Sequence, residues 1–290
     1  MSRGLDHAVH AVRDLDRGAE LYRRLGFTVG ARNRHPWGTH NHIVQVAGGF
    51  IEILTLAEPE RLGADGLSRE FGVFHQNFLA RGEGLSFLVL ESADAAADAA
   101  AFAREGIACS PVLDFSREAT RADGTGVTVG FSLALARDPL SPAVGFAACR
   151  QLKPENFWNA ALQSHANTAC GLAGAVLIAE NPTDHHAFLS SFSGVRALHA
   201  TSSGVSAVTA RGAIEIMDPT AFRDHFGVAH DVVGAGLRFA ALRIGVADPA
   251  RAAACFAAGG IEAANQRGRL VVAPSIALGA TLVFEQATGG

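Results

Sequence analysis

Several side chains in this sequence stand where their chemistry is costly to leave uncompensated. Glu52 lies inside the apolar run Phe50-Ile51-Glu52-Ile53-Leu54; a carboxylate buried there without a partner would be strongly unfavourable, so something must compensate it. His7 falls on one face of the alternating segment Leu5 to Val12, together with Leu5, Val9 and Ala11, while His10 falls on the other. His40 and His42 are two apart in a predicted second strand, so their side chains share a face and could reach the same pocket as His7. Imidazole titrates near neutral pH, which suits either residue to act as a metal ligand, a proton shuttle or a hydrogen-bond donor to substrate. Cys149 and Arg150 are neighbours. A cation would activate the thiol only if the two side chains converged, and strand neighbours point apart. Arg150 is therefore the stronger candidate of the two, as an anchor for an anionic substrate.

The elements that must position these residues recur along the chain. Four segments open on Gly-Leu and an apolar run, at Gly4-Leu5, Gly84-Leu85, Gly171-Leu172 and Gly236-Leu237, each leading through an acidic turn into a helical stretch. In the first copy Asp14 suits a helix N-cap, and the helix from Asp16 to Leu25 buries Ala19, Leu21, Tyr22 and Leu25. It stops at Gly26, where a left-handed residue costs little; Gly106, Gly194 and Gly260 are the matching stops. A short strand is expected directly after each stop, at 27–29, 107–109, 195–197 and 261–263. Each copy ends on an apolar strand, at 50–54, 144–148, 213–217 and 281–285. The linkers recur as well: Phe71-Gly72-Val73-Phe74-His75 precedes the second copy and Phe226-Gly227-Val228-Ala229-His230 the fourth. Four βαβββ modules of an α+β fold follow, paired as halves 1–150 and 165–290. The proline and polar residues of Lys153 to Trp158 join the halves, with Phe157 and Trp158 pinning the joint onto one of them.

Leu5-Asp6-His7-Ala8-Val9, Val12-Arg13-Asp14-Leu15-Asp16, Tyr22-Arg23-Arg24-Leu25-Gly26-Phe27 and Phe50-Ile51-Glu52-Ile53-Leu54 resemble the signature of the glyoxalase, bleomycin-resistance and extradiol dioxygenase (vicinal oxygen chelate) superfamily. The stretch His35-Pro36-Trp37-Gly38-Thr39-His40-Asn41-His42, with Cys149-Arg150-Gln151 and Pro154-Glu155 through His165-Ala166-Asn167, is similar to an uncharacterised glyoxalase-like branch. The resemblance implies two tandem curved-sheet barrels. Each would close around a pocket where a divalent ion (Zn, Mn, Fe or Ni) binds a substrate through neighbouring oxygens. It places metal ligands at His7 and Glu52; Glu52, His40 and His42 are the catalytic candidates, and Trp37 and Arg150 the substrate-binding ones. Counted from the Gly-Leu starts, His7 corresponds to Phe87, Gly174 and Phe239, none of which can bind a metal. Glu215 and Glu285 stand roughly where Glu52 does, whereas the second module offers Ala147 to Cys149. The C-terminal half is thus expected to be a structural copy.

These features imply a metal-dependent enzyme acting on a small oxygenated molecule, by isomerase or lyase chemistry more than by ring cleavage, which would need histidines where Gly174 and Phe239 stand. The alternative is a metal-free binding protein of the bleomycin-resistance type. Bulk properties agree with a small-molecule partner. Of the 290 residues 49% are hydrophobic and 18% charged, and the net charge is -4, which excludes a basic field for nucleic acid. There is no apolar run of membrane-spanning length and no leader-like start, so a cytoplasmic protein is expected, with a homodimer possible. Four scattered cysteines with no C-x-x-C pair argue against a thiolate zinc site or a disulfide framework, and most are expected to be buried.

Overall fold

The computed structural model describes residues 2–120, 125–230 and 236–287. Among them lie four copies of one chain path. The first runs β1 (Leu5–Ala11), α1 (Leu15–Arg24), β2 (Asn33–Arg34), β3 (Thr39–Val46) and β4 (Gly49–Leu56). After α2 (Phe74–Arg81), the second runs β5 (Gly84–Glu91), α3 (Ala95–Arg104), β6 (Leu113–Thr120), β7 (Gly126–Ala136) and β8 (Gly145–Gln151). Past α4 (Pro154–Phe157), the third runs β9 (Ala169–Ile178), α5 (His186–Ser193), β10 (His199–Thr201), β11 (Gly204–Val208) and β12 (Ala213–Met217). The fourth follows α6 (Pro219–Phe226) as β13 (Arg238–Val246), α7 (Pro249–Ala258), β14 (Ala264–Gln266), β15 (Arg269–Val272) and β16 (Thr281–Gln286).

The four βαβββ modules pair into two eight-stranded sheets of identical order, β2-β3-β4-β1-β5-β8-β7-β6 and β10-β11-β12-β9-β13-β16-β15-β14. Within each module the first and last strands run parallel, as β1 with β4; between modules the first strands meet antiparallel, as β1 with β5. Local chemistry explains why each copy folds alike. Asp14, Asp94 and Asp248 each cap a helix by accepting from two backbone N–H groups of its first turn. The helices then stop at Gly26, Gly106, Gly194 and Gly260, all in the left-handed region with φ of 83, 72, 73 and 65°. The strands expected directly after these stops do not form there. Phe27, Ile107 and Ile261 are instead buried by the turn that closes the helix, and the next strand begins several residues later.

One apolar core spans both sheets, taking Leu5, Tyr22, Phe102 and Phe146 from the first and Leu172, Phe192, Phe256 and Phe284 from the second. Contacts across the junction reinforce it. Arg211 donates to the Leu5 carbonyl at 2.9 Å and to Glu91 at 2.5 Å, and His185 meets Asp138 at 2.6 Å. The joint between the halves lies on the first sheet: Phe157 and Trp158 pack on Phe50 at 5.0 and 6.3 Å, and Gln45 holds the Phe157 carbonyl at 2.7 Å. All four thiols are free, and only Cys149 is buried. The inner face of each sheet carries its own smaller cluster, Val9, Phe87 and Val89 in the first and Val176, Ala241 and Val283 in the second. The two inner faces differ in what else they hold.

Candidate functional site

Strand register decides which residues face inward. Parallel pairing sets Phe50 against His7 and Glu52 against Val9, so all four share the inner face of the first sheet. The β3–β4 hairpin sets Ile43 against Glu52 and Asn41 against Leu54. The odd positions of β3 therefore face inward and the even ones outward. His40 and His42 do share a face, but it is the one away from His7. His42 Nδ1 bonds the Gly30 carbonyl at 2.7 Å, and His40 is held between Arg32 and Glu58 at 2.9 and 3.0 Å. Their expected place in the pocket is thus corrected by one residue of register, and Asn41 between them takes it. Arg150 is likewise on the outer face and exposed, while Cys149 faces in.

The inner face encloses a small cavity of about 80 Å³ that widens into an open mouth. Trp37, Phe50, Phe71, Phe115, Phe131 and Phe157 wall it. Trp37 packs edge-on to Phe115 at 5.0 Å and stacks on His35 at 4.7 Å. His7 and Glu52 both line the cavity, as do Asn41 and Arg117. His7 stacks on Phe50 at 4.1 Å, and its Nδ1 lies 2.5 Å from Asp6 Oδ1. A carboxylate only accepts, so Nδ1 carries a proton, and Nε2 is the ring nitrogen that Asp6 leaves free. Glu52 accepts from Asn41 Nδ2 at 2.5 Å. Burial pushes its pKa up; His7, Asn41 and Arg117 pull the other way without cancelling that rise. Burial also keeps the Cys149 thiol protonated and holds His35 neutral, with a pKa of about 3.

Arg117 is the residue that motif reasoning missed. It ends the alternation Leu113, Phe115, Arg117 on β6, whose pairing with β7 turns all three inward. An apolar series closed by a cation was the available signal. No Arg117 nitrogen comes within 4.0 Å of the Glu52 carboxylate. The two charges act on each other across the cavity without touching.

The second sheet shows the contrast. Glu215 pairs with Val176 as Glu52 pairs with Val9, and Gly174 stands where His7 does. Arg243 fills the space beside Gly174, whose absent Cβ would lie 3.2 Å from its guanidinium. It bonds Glu215 at 2.5 Å and Glu285 at 2.6 Å, and Arg269 adds a contact to Glu285 at 2.9 Å. In the fourth module Ala241 stands seven residues before its helix cap, as His7 does, so Val283, paired with Arg243, holds the rung of Glu52, and Glu285 lies two residues beyond. The C-terminal inner face is thus closed by its own ion pairs. His75 and His230 are both spent on structure, bonding Ser86 and Thr281.

Four metal-type side chains line the first site, His7, His35, Glu52 and Cys149, but nowhere among the described residues do three or more His, Cys, Asp or Glu side chains gather closely enough to share an ion. A catalytic ion normally takes three protein ligands. The present donors do not fit an ion held by protein alone.

The four modules form a tandem paired-module fold with a cavity on the inner face of the first sheet. A glyoxalase-like domain model matches residues 5–192, and the chain belongs to that family within the vicinal oxygen chelate superfamily. No curated protein matches the sequence. Among solved structures, a hypothetical protein from Staphylococcus aureus is similar at a TM-score of 0.68 and 12% identity, over 98% of this chain and 99% of that one. A triple mutant of 4-hydroxymandelate synthase from Streptomyces coelicolor is similar at 0.56 and 12%, over 100% and 94%. A xylose isomerase-like TIM barrel/4-hydroxyphenylpyruvate dioxygenase fusion protein is similar at 0.57 and 14%, over 100% of this chain and 49% of that one. These likenesses define the fold. No helix among the described residues is long and apolar enough to cross a membrane.

Proposed function

We propose that the N-terminal half is the working half, an enzyme site for a small oxygenated organic molecule, with Glu52 as its proton-accepting group. One observation carries this reading: Glu52 is buried in an aromatic cavity and accepts from the neutral amide of Asn41, while Arg117 on the same cavity is not in contact with it. Its counterpart Glu215 is closed on Arg243. A carboxylate kept out of water and out of an ion pair is a stronger base toward a bound acidic C–H than one that is solvated. Asn41 fixes its orientation and Asp6 fixes that of His7. Isomerase or lyase chemistry at a carbon beside a carbonyl suits this set. Incubated with small ketones and 2-oxo acids in D2O, the protein should catalyse C–H to C–D exchange, and Glu52→Gln should slow it at least about 100-fold. Exchange indifferent to Glu52→Gln would overturn the assignment.

A second reading has support of its own. The Asp6–His7 pair has the form of a carboxylate-oriented metal-binding histidine. A divalent ion on His7 Nε2 and Glu52 would then take its remaining ligands from substrate oxygens, and would supply Lewis-acid polarisation. Metal analysis of protein purified without chelator separates the readings. About one equivalent in the wild type, lost in His7→Ala, supports the ion; negligible metal in both supports the metal-free site, which is the expected result.

A further inference from the structure

We propose that the N-terminal cavity takes a single-ring aromatic monoanion, its negative group held by Arg117 and its ring by the aromatic walls; this rests on reading that cavity as the small-molecule site. The walls are rings set at angles to one another. Phe50 and Phe157 meet at 5.0 Å, Phe131 and Phe157 at 5.6 Å, and Trp37 and Phe115 at 5.0 Å. Such walls offer both faces and edges to a further ring, a geometry worth about 0.5–1.5 kcal/mol per pair beyond area burial.

The sign and number of charges on the ligand follow from the polar groups. Arg117 is half-buried, and among the described residues its one hydrogen bond is a long one, 3.4 Å to the carbonyl of its neighbour Glu118. Its planar fork of donors matches a carboxylate. The same cavity wall holds a second donor: Trp37 is 9% exposed, and its buried indole N–H has no partner among the described residues. A second anionic group finds no welcome, because His35 remains uncharged with Nδ1 engaged by Thr39 at 2.8 Å, and Glu52 repels negative charge at the other side. The outward-facing Arg150, the arginine expected from the sequence to anchor an anion, takes no part.

Benzoate and its neutral isostere benzamide test the proposal on the full chain, by calorimetric titration and by the indole N–H resonances. There are two tryptophans, so Trp158→Phe assigns the Trp37 signal. Both probes should shift the Trp37 resonance, and benzoate should bind at least about tenfold more tightly. Arg117→Gln should bring benzoate down to the benzamide level while leaving benzamide unchanged, which also reports that the variant is folded; Arg150→Gln should change neither. If both probes shift Trp37 but bind alike, or if Arg117→Gln leaves benzoate binding intact, the anion inference falls and the cavity remains. If neither shifts Trp37, both readings fall.

Discussion

Arg243→Met should lower the unfolding free energy by about 2–4 kcal/mol. The substitution keeps the volume of the stem and removes the charge that closes the second sheet. Glu285 retains Arg269 at 2.9 Å, but Glu215 loses its only ion-pair partner. Its side chain is 23% exposed, so water softens the penalty below that of a fully buried ion. The double variant Arg243→Met with Glu215→Gln should recover most of the loss, since it removes the stranded charge as well. Urea unfolding of the three proteins checks this, and equal midpoints for the single and double variants would show that packing, not charge, was lost. Because one core spans both sheets, the whole transition should move, not a C-terminal shoulder.

Glu52→Gln is expected to do the opposite, raising stability while removing the exchange activity. Glutamine keeps the shape and can still accept from Asn41, but it carries no charge to desolvate. The gain should be about 0.5–2 kcal/mol at neutral pH, as commonly found when a strained functional group is relieved. Its pH dependence has a definite sign. The folded pKa of Glu52 is raised by burial, so the wild type is stable with respect to this group below the unfolded carboxylate value of roughly 4.3 and loses that stability as pH rises through the folded value. The advantage of the variant should therefore be absent near pH 4 and grow toward neutrality. Melting temperatures of both proteins across that range decide it; a constant difference would show that the carboxyl ionises as freely in the fold as out of it.

The modular plan was legible because it rests on short-range chemistry written four times. Gly-Leu starts, capping aspartates and left-handed glycines each act within a few residues, and all recur at matching positions. Glu52 was legible for a similar reason, as an acid in an apolar run. The rest of the site was set by pairing between strands, which a single segment does not contain. His40 and His42 look as eligible as Asn41 until the β3–β4 register fixes Ile43 opposite Glu52. Arg117 and Arg243 come from strands remote in sequence from the carboxylates they face. Whether such a pair touches or stands apart depends on the space between strands, and Gly174 creates that contact in one sheet only.

The separation of Glu52 and Arg117 has a consequence for direction as well as affinity. Opposite charges fixed on two sides of a low-polarity space give the cavity a head and a tail. A guest with an anionic end and a hydrogen-donating end is aligned before any bond to it changes. Turned end for end, its anion would meet the Glu52 carboxyl, and an adjacent negative charge disfavours the ionised form of that group further. The empty gap therefore acts as a polarity filter: it presents one chosen end of an otherwise nearly symmetrical ring to Glu52, and so determines which carbon or oxygen of the guest is within reach of the base.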